Sequence, residues 1–133
     1  MRGRGDRGAV STFIAVIAVA MLMAAGLAYD GGRKVAALGE ASHIAESAAR
    51  AGAQAVDPDH LRTTGQIVLN SDQAVALAGD YLADVGHPGQ VTVAADQVTV
   101  TVTITVNAVL LPVGEMVVSA TETATAVTEE PET

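Results

Sequence analysis

The sequence predicts an α+β fold. An N-terminal transmembrane helix continues into an alanine-rich helix, and a second short helix and a small antiparallel sheet of about three strands follow. Three features predict this order. A long stretch near the start of the chain has no charged side chain, and alanine then recurs at every fourth position. Further on, valine alternates with threonine from Val98 to Val106, as in a strand with one buried face.

The uncharged stretch from Ala9 to Ala28 has the length of a membrane span. About 20 helical residues extend about 30 Å, which is the thickness of the hydrocarbon core of a bilayer. A surface helix of a soluble protein would carry a polar face, and this stretch has none. Tyr29 follows where an interfacial aromatic residue is expected. We therefore predict a transmembrane helix over residues 9–29, after a basic N-terminus over residues 1–8.

Charge is distributed unevenly around this span. Arg2, Arg4 and Arg7 precede it, whereas the chain from Asp30 onward carries four basic and fourteen acidic residues. Basic residues concentrate on the cytoplasmic side of a membrane, so we expect a single-pass protein of the cell membrane with a cytoplasmic N-terminus. Residues 30–128 are then an extracytoplasmic α+β domain, and the acidic tail over residues 129–133 is disordered. An acidic domain repels phosphate backbones, so no nucleic-acid partner is expected.

A cleaved secretory signal is the alternative interpretation of the same stretch. The small residues Gly26 and Ala28 would permit cleavage before Tyr29. The apolar run is longer than the roughly 7–15 residues of a typical signal core, which favours a retained anchor.

Small residues line one face of the helical sequence after the span and recur within the span. Their spacing lets a neighbouring backbone approach closely, either this chain's own sheet or another subunit. Asp30-Gly31-Gly32 is expected to break or kink the helix, because glycine weakens a helix interior. The predicted helix-packing and interaction residues are Ala20, Ala24, Gly26, Ala28, Gly31, Gly32, Ala37, Ala41, Ala45, Ala49 and Ala53.

The rest of the chain predicts one more helix and the sheet. Asp57-Pro58-Asp59 ends the alanine-rich helix, and a loop is expected to about Asn70. Ser71 is predicted to cap a helix over residues 72–85. Its buried residues would be Val75, Leu77, Ala78, Tyr81 and Leu82. Strands are expected around residues 91–93, 98–106 and 115–127, with valines facing the helices and threonines facing outward.

Few side chains suggest chemistry. Residues 57–60 include two aspartates and a histidine, and His43 lies between Glu40 and Glu46. Such groups can hold a divalent ion, but a solvated loop and a solvated helix face are the favoured interpretations. The chain has no cysteine, and no glycine-rich nucleotide-binding motif is present. We therefore predict no catalytic residue, no cofactor and no metal, and expect that the protein is not an enzyme.

Three segments of the first 55 residues form a family pattern. They are Arg-Gly-Ala-Val at 7–10, Gly-Leu-Ala-Tyr-Asp-Gly-Gly at 26–32, and Ala-Glu-Ser-Ala-Ala-Arg-Ala-Gly-Ala at 45–53. The pattern resembles the TadE/TadG-like proteins of bacterial tight-adherence (Flp) pilus systems, most closely the actinobacterial forms. The resemblance implies a pseudopilin-like or assembly component at the cell membrane. Its implied partners are the pilin, other TadE/TadG-like proteins and the membrane platform. The span adds the membrane as a partner, and the small-residue face suggests self-association.

One feature departs from the processed members of such systems. They carry a glycine cleavage site followed by glutamate at the fifth mature position. Cleavage between Gly8 and Ala9 would place Phe13 there instead. An unprocessed, anchored TadG-like component is therefore the leading hypothesis. The alternative is an exported cell-surface module that binds a ligand or an ion after signal cleavage.

Overall fold

The computed structural model describes residues 5–127, with side chains from residue 8 onward. Its elements are α1 (Gly5–Gly52), α2 (Pro58–Thr64), α3 (Ser71–Val85), β1 (Gly89–Ala94), β2 (Gln97–Asn107) and β3 (Glu115–Thr125). The predicted α+β class, with a long apolar first helix and a three-stranded antiparallel sheet, is confirmed. Residues 1–4 of the predicted basic N-terminus and the predicted acidic tail lie outside the described residues.

α1 is one uninterrupted helix of 48 residues. A break or kink was expected at Asp30-Gly31-Gly32. The prediction of a break was wrong, because the helix continues through these residues. A glycine in a helix interior costs roughly 0.5–1 kcal/mol relative to alanine. Alanine-rich helical sequence on both sides, together with packing against the rest of the domain, is sufficient to offset that local cost.

The segment after α1 contains a helix that was predicted to be loop. Asp57 caps α2, since its Oδ1 atom accepts hydrogen bonds from the backbone N–H of Asp59 at 2.9 Å and of His60 at 3.1 Å. Pro58 lies at the first helical position, where its missing N–H is harmless. α1 itself ends five residues before Asp57, at Gly52, so the residues that were predicted to end it instead begin α2.

α3 begins with a different cap from the one expected. Asn70, not Ser71, is the N-cap, and its side chain accepts a hydrogen bond from the Gln73 N–H at 3.1 Å. The buried face of α3 consists of Ala74, Ala78 and Leu82. The prediction that Val75 is buried was wrong, since that side chain is 45% exposed. Leu77 and Tyr81 are partly buried against the same core.

The sheet is a meander with the order β1-β2-β3, antiparallel throughout. Val98, Val100 and Val102 of β2 are fully buried, which confirms the predicted inward face. The outward face pairs hydroxyl groups across the strands, with Thr101 and Thr121 at 2.8 Å. These pairs add cross-strand bonds on the exposed side of the sheet.

The second half of α1 packs on this sheet and on α3. Ala41, Ala45 and Ala49 are fully buried in the core between them. At Gly52 the helices approach so closely that a Cβ atom would lie 2.9 Å from the Ala74 carbonyl oxygen. Small side chains on α1 therefore let the helix backbone lie against the sheet, in a core built from alanine and valine.

Candidate functional site

The site of most interest is a junction between α1 and the loop that joins β2 to β3. The Asp30 carboxylate accepts three backbone hydrogen bonds from this β2–β3 loop (residues 108–114). The donors are the N–H groups of Val109 at 3.0 Å, Leu110 at 3.0 Å and Leu111 at 2.8 Å. Asp30 is fully buried, and it is the one buried charged or polar residue among those that the structure describes.

These hydrogen bonds keep the Asp30 carboxylate charged. The N–H of Val109 makes the largest contribution to a lowered pKa, and burial acts in the opposite direction. The N–H groups of Leu111 and Leu110 and the nearby Arg33 guanidinium lower the pKa further. The net direction is below the ordinary value of 3.8. Three donors aimed at one carboxylate are a typical cause of such a shift.

Two further contacts complete the junction. The Arg33 guanidinium donates a hydrogen bond to the Asn107 carbonyl oxygen at 2.7 Å, at the end of β2. One turn before Asp30, Gly26 is buried under the loop, and a Cβ atom there would lie 3.4 Å from the Leu110 Cβ. We call this set of residues the helix–loop junction: Gly26, Asp30 and Arg33 of α1 with residues 107–111.

The junction lies where the apolar half of α1 ends. Within Gly8–Gly52, α1 is long and apolar enough to cross a membrane. Only 6% of its most apolar 18-residue stretch is buried inside the protein, whereas the core helix of a soluble protein would be mostly covered. The exposed side chains include Phe13, Leu22 and Leu27. This half of α1 is therefore suited to a lipid environment, and Asp30 is the first charged residue after it.

The predicted small-residue positions divide into two groups. Ala37, Ala41, Ala45 and Ala49 are buried in this chain's own core, and Ala53 is partly buried against it. Gly26 is buried under the β2–β3 loop, and Gly31 is half-buried. The exposed positions are Ala20, Ala24, Ala28 and Gly32. These exposed residues are the ones left accessible to other subunits. Their role in such contacts stays a prediction.

The candidate ion-binding groups have other partners. The carboxylate of Asp57 caps α2, and the hydrogen bond from the His60 N–H makes the largest contribution to lowering the pKa of that carboxyl. Glu46 pairs with Arg50 along the exposed face of α1. Within residues 5–127 no group of three histidine, aspartate or glutamate side chains is placed to hold a metal ion.

The sequence did not reveal the junction. Asp30 was interpreted only as part of a helix break, and Arg33 only as a charge after the span. One signal was present: an aspartate immediately after an apolar span has to find hydrogen-bond donors or water. The identity of the donors was not predictable, because the loop lies 79 to 81 residues further along the chain.

Comparison with known proteins bears on this same helix. Residues 8–55 match the family model described as putative Flp pilus-assembly TadE/G-like, which is roughly a third of the chain. No curated protein and no solved structure matches the chain. The matched segment contains Gly26, Asp30 and Arg33 together with the whole apolar half of α1. The predicted resemblance is thus confirmed over residues 8–55, where the chain is similar to the TadE/G-like Flp pilus-assembly family.

Proposed function

We propose that this protein is a membrane-anchored structural component of a Flp/Tad-type pilus or secretion system, with a minor pseudopilin-like role in its assembly. The observation that carries the proposal is the family match over residues 8–55, on a helix whose first half exposes apolar side chains along its length. The proposal assigns no catalytic step to the chain.

In this proposal α1 has two tasks. Residues 9–29 anchor the protein in the cell membrane with the N-terminus in the cytoplasm, and the rest of α1 forms the core of an extracytoplasmic domain. Since α1 is continuous through Asp30, movement or force on the domain is transmitted directly to the span. The junction strengthens this coupling because it ties the sheet to the helix where the helix leaves the membrane.

The partners in this proposal are other components of the same machine: the pilin, other TadE/TadG-like proteins, the membrane platform and further copies of this chain. Ala20, Ala24 and Ala28 follow one another at four-residue spacing on the exposed part of α1. Small residues at this spacing let membrane helices approach closely. We expect this face to contact the span of a partner.

The alternative, an exported binding module released by signal cleavage, is disfavoured by the junction. Cleavage before Tyr29 would remove Gly26, against which Leu110 and Leu111 pack. The released domain would then expose an apolar loop at the end of a truncated helix. A retained anchor leaves this contact intact.

The test is complementation of a strain from which the gene has been deleted. The doubly substituted variant Ala20→Leu/Ala24→Leu is compared with Ala18→Leu, which lies two residues from Ala20 and so on nearly the opposite side of the helix. Leucine favours membrane insertion, so all variants should remain in the membrane. We expect surface pili to be lost with the deletion and the double variant, and restored by wild type and Ala18→Leu. Normal piliation of the deletion strain would refute the proposal.

A further inference from the structure

The β2–β3 loop is apolar at its tip and lies beside the end of the predicted span. Val109, Leu110 and Val113 are 61%, 57% and 59% exposed, respectively. Residues 108–114 contain no charged or polar side chain. Exposed aliphatic side chains clustered in one short loop indicate a surface that water does not normally cover.

The position of the loop along α1 indicates what covers it. The side chains of Leu110 and Leu111 lie against Gly26, which is three residues inside the C-terminal end of the predicted span. The same loop is hydrogen-bonded to Asp30, four residues or about 6 Å further along the helix axis. The loop therefore occupies the same depth as the last turn of the span, at the level of Tyr29. The partner span expected against Ala20, Ala24 and Ala28 lies on another side of α1, because Gly26 is two residues from Ala24 and Ala28 and so faces nearly the opposite way.

Most backbone N–H groups of the loop are hydrogen-bonded within the protein, as an environment poor in water requires. Backbone N–H groups that enter a bilayer have to be satisfied within the protein. The N–H groups of residues 109–111 donate to Asp30, and the Ala108 N–H donates to the Gly114 carbonyl oxygen at 3.0 Å. Pro112 has no N–H. Five consecutive residues thus need no water as an acceptor for their backbone donors.

From these observations we infer that the β2–β3 loop inserts into the interfacial region of the lipid bilayer beside α1, as a second membrane contact of the domain. The inference rests on the proposed anchoring of α1 in a membrane. Its consequence is geometric. A single transmembrane helix can tilt and rotate in the bilayer, and the domain moves with it because α1 is continuous. A helix and an inserted loop together fix which side of the sheet faces the membrane. The Asp30 carboxylate is then a positioning group that holds the loop at this depth.

The absence of cysteine makes a direct test practical. The full-length protein is reconstituted into vesicles of phosphatidylethanolamine and phosphatidylglycerol with single cysteines carrying an environment-sensitive fluorophore. The test variants are Val109→Cys and Val113→Cys. The positive control is Leu22→Cys, 72% exposed in the apolar half of α1. The negative control is Gln97→Cys, at the far end of β2 and about 30 Å from the loop.

We expect the labels at positions 109 and 113 to shift to the blue and to be quenched by spin-labelled lipid, as at position 22, while position 97 is quenched by aqueous iodide. Asp30→Asn in the Val109→Cys background should move the label toward the behaviour of position 97. Loop labels that behave like position 97, while position 22 remains lipid-exposed, would overturn the inference and leave the anchor intact.

Two other outcomes would also contradict the insertion of the loop into the bilayer. Loop labels shielded from both quenchers, with the shielding lost when the protein is diluted into excess lipid, would identify a second copy of the chain as the occupant. An aqueous label at position 22 would overturn the membrane anchor itself, and the loop insertion with it.

Discussion

Asp30 and Leu111 are separated by 81 residues in the sequence, and the Leu111 N–H donates a 2.8 Å hydrogen bond to the Asp30 carboxylate. This contact joins the point where α1 leaves its apolar half to the turn between the two longest strands. The N–H groups of Val109 and Leu110 donate to the same carboxylate, so the buried Asp30 side chain accepts hydrogen bonds from three successive loop residues. The position of this loop against α1 therefore depends strongly on a single carboxylate.

Replacing Asp30 by asparagine should release the β2–β3 loop. The amide keeps one acceptor oxygen but presents an NH₂ group to loop N–H donors, so at least one buried donor loses its partner. We expect faster hydrogen exchange at residues 109–111, measured by mass spectrometry on the full-length protein in detergent, with little change at β1. The matched control is Asp80→Asn on the exposed face of α3, which should leave loop exchange unchanged. Unchanged loop exchange in Asp30→Asn would contradict the role of the carboxylate.

The same carboxylate predicts a dependence of stability on pH. The folded-state pKa of Asp30 lies below its ordinary value of 3.8, so its contribution to stability is present above that value. It is lost as the pH falls through the folded-state pKa, because the protonated group no longer accepts all three bonds. Thermal unfolding should therefore separate wild type from Asp30→Asn at neutral pH, and the difference should disappear in strong acid. A difference that is constant over the whole pH range would count against this account.

Gly52 should be intolerant of any side chain. A Cβ atom there would meet the Ala74 carbonyl oxygen at 2.9 Å and a Val98 methyl group at 3.0 Å. We expect Gly52→Ala to lower the free energy of unfolding by about 1–3 kcal/mol through overpacking. Gly39→Ala is the matched control on the same helix, since a Cβ atom there would meet no neighbouring side chain or strand within 4 Å among the described residues. It should stabilise the helix by roughly 0.5–1 kcal/mol. Equal effects of the two substitutions in chemical unfolding would show that α1 and α3 do not approach this closely.

The alanine face of the second half of α1 can be tested in the same way. Ala45 is fully buried in the core that α1 forms with α3 and the sheet, so Ala45→Leu should destabilise the domain by about 1–3 kcal/mol. Ala36→Leu, on the exposed side of α1, should change the unfolding free energy by less than about 0.5 kcal/mol. If Ala45→Leu left stability unchanged but abolished assembly, that face would pack against another subunit instead of this chain's sheet.

Those parts of the fold that depend on local sequence were predictable. The valine–threonine alternation identified β2 and its buried face because the strand period places alternate side chains on opposite sides. The charge-free stretch identified the apolar half of α1 because its length matches a bilayer. α2 was missed because Asp57-Pro58 was interpreted only as a helix end, although aspartate followed by proline also begins helices.

What the sequence did not predict depends on contacts between distant residues. The sequence around Asp30 does not indicate that the backbone of residues 109–111 is its partner. Every non-proline residue carries the same backbone N–H group, so the donors cannot be told apart by residue type. The burial of Gly26 has the same cause, because the loop that covers it comes more than eighty residues later. The helix–loop junction therefore could be identified only from the three-dimensional arrangement of the strands and α1.

Whether residues 9–29 are retained as an anchor is tested by the intact mass of the native protein after separation of membrane and soluble fractions. A retained anchor predicts the full-length chain of 13.4 kDa in the membrane fraction, with residues 9–29 still attached to the domain. A soluble chain that begins near Tyr29 would contradict the account, because the apolar half of α1 would then be a discarded signal and the helix–loop junction would lose Gly26.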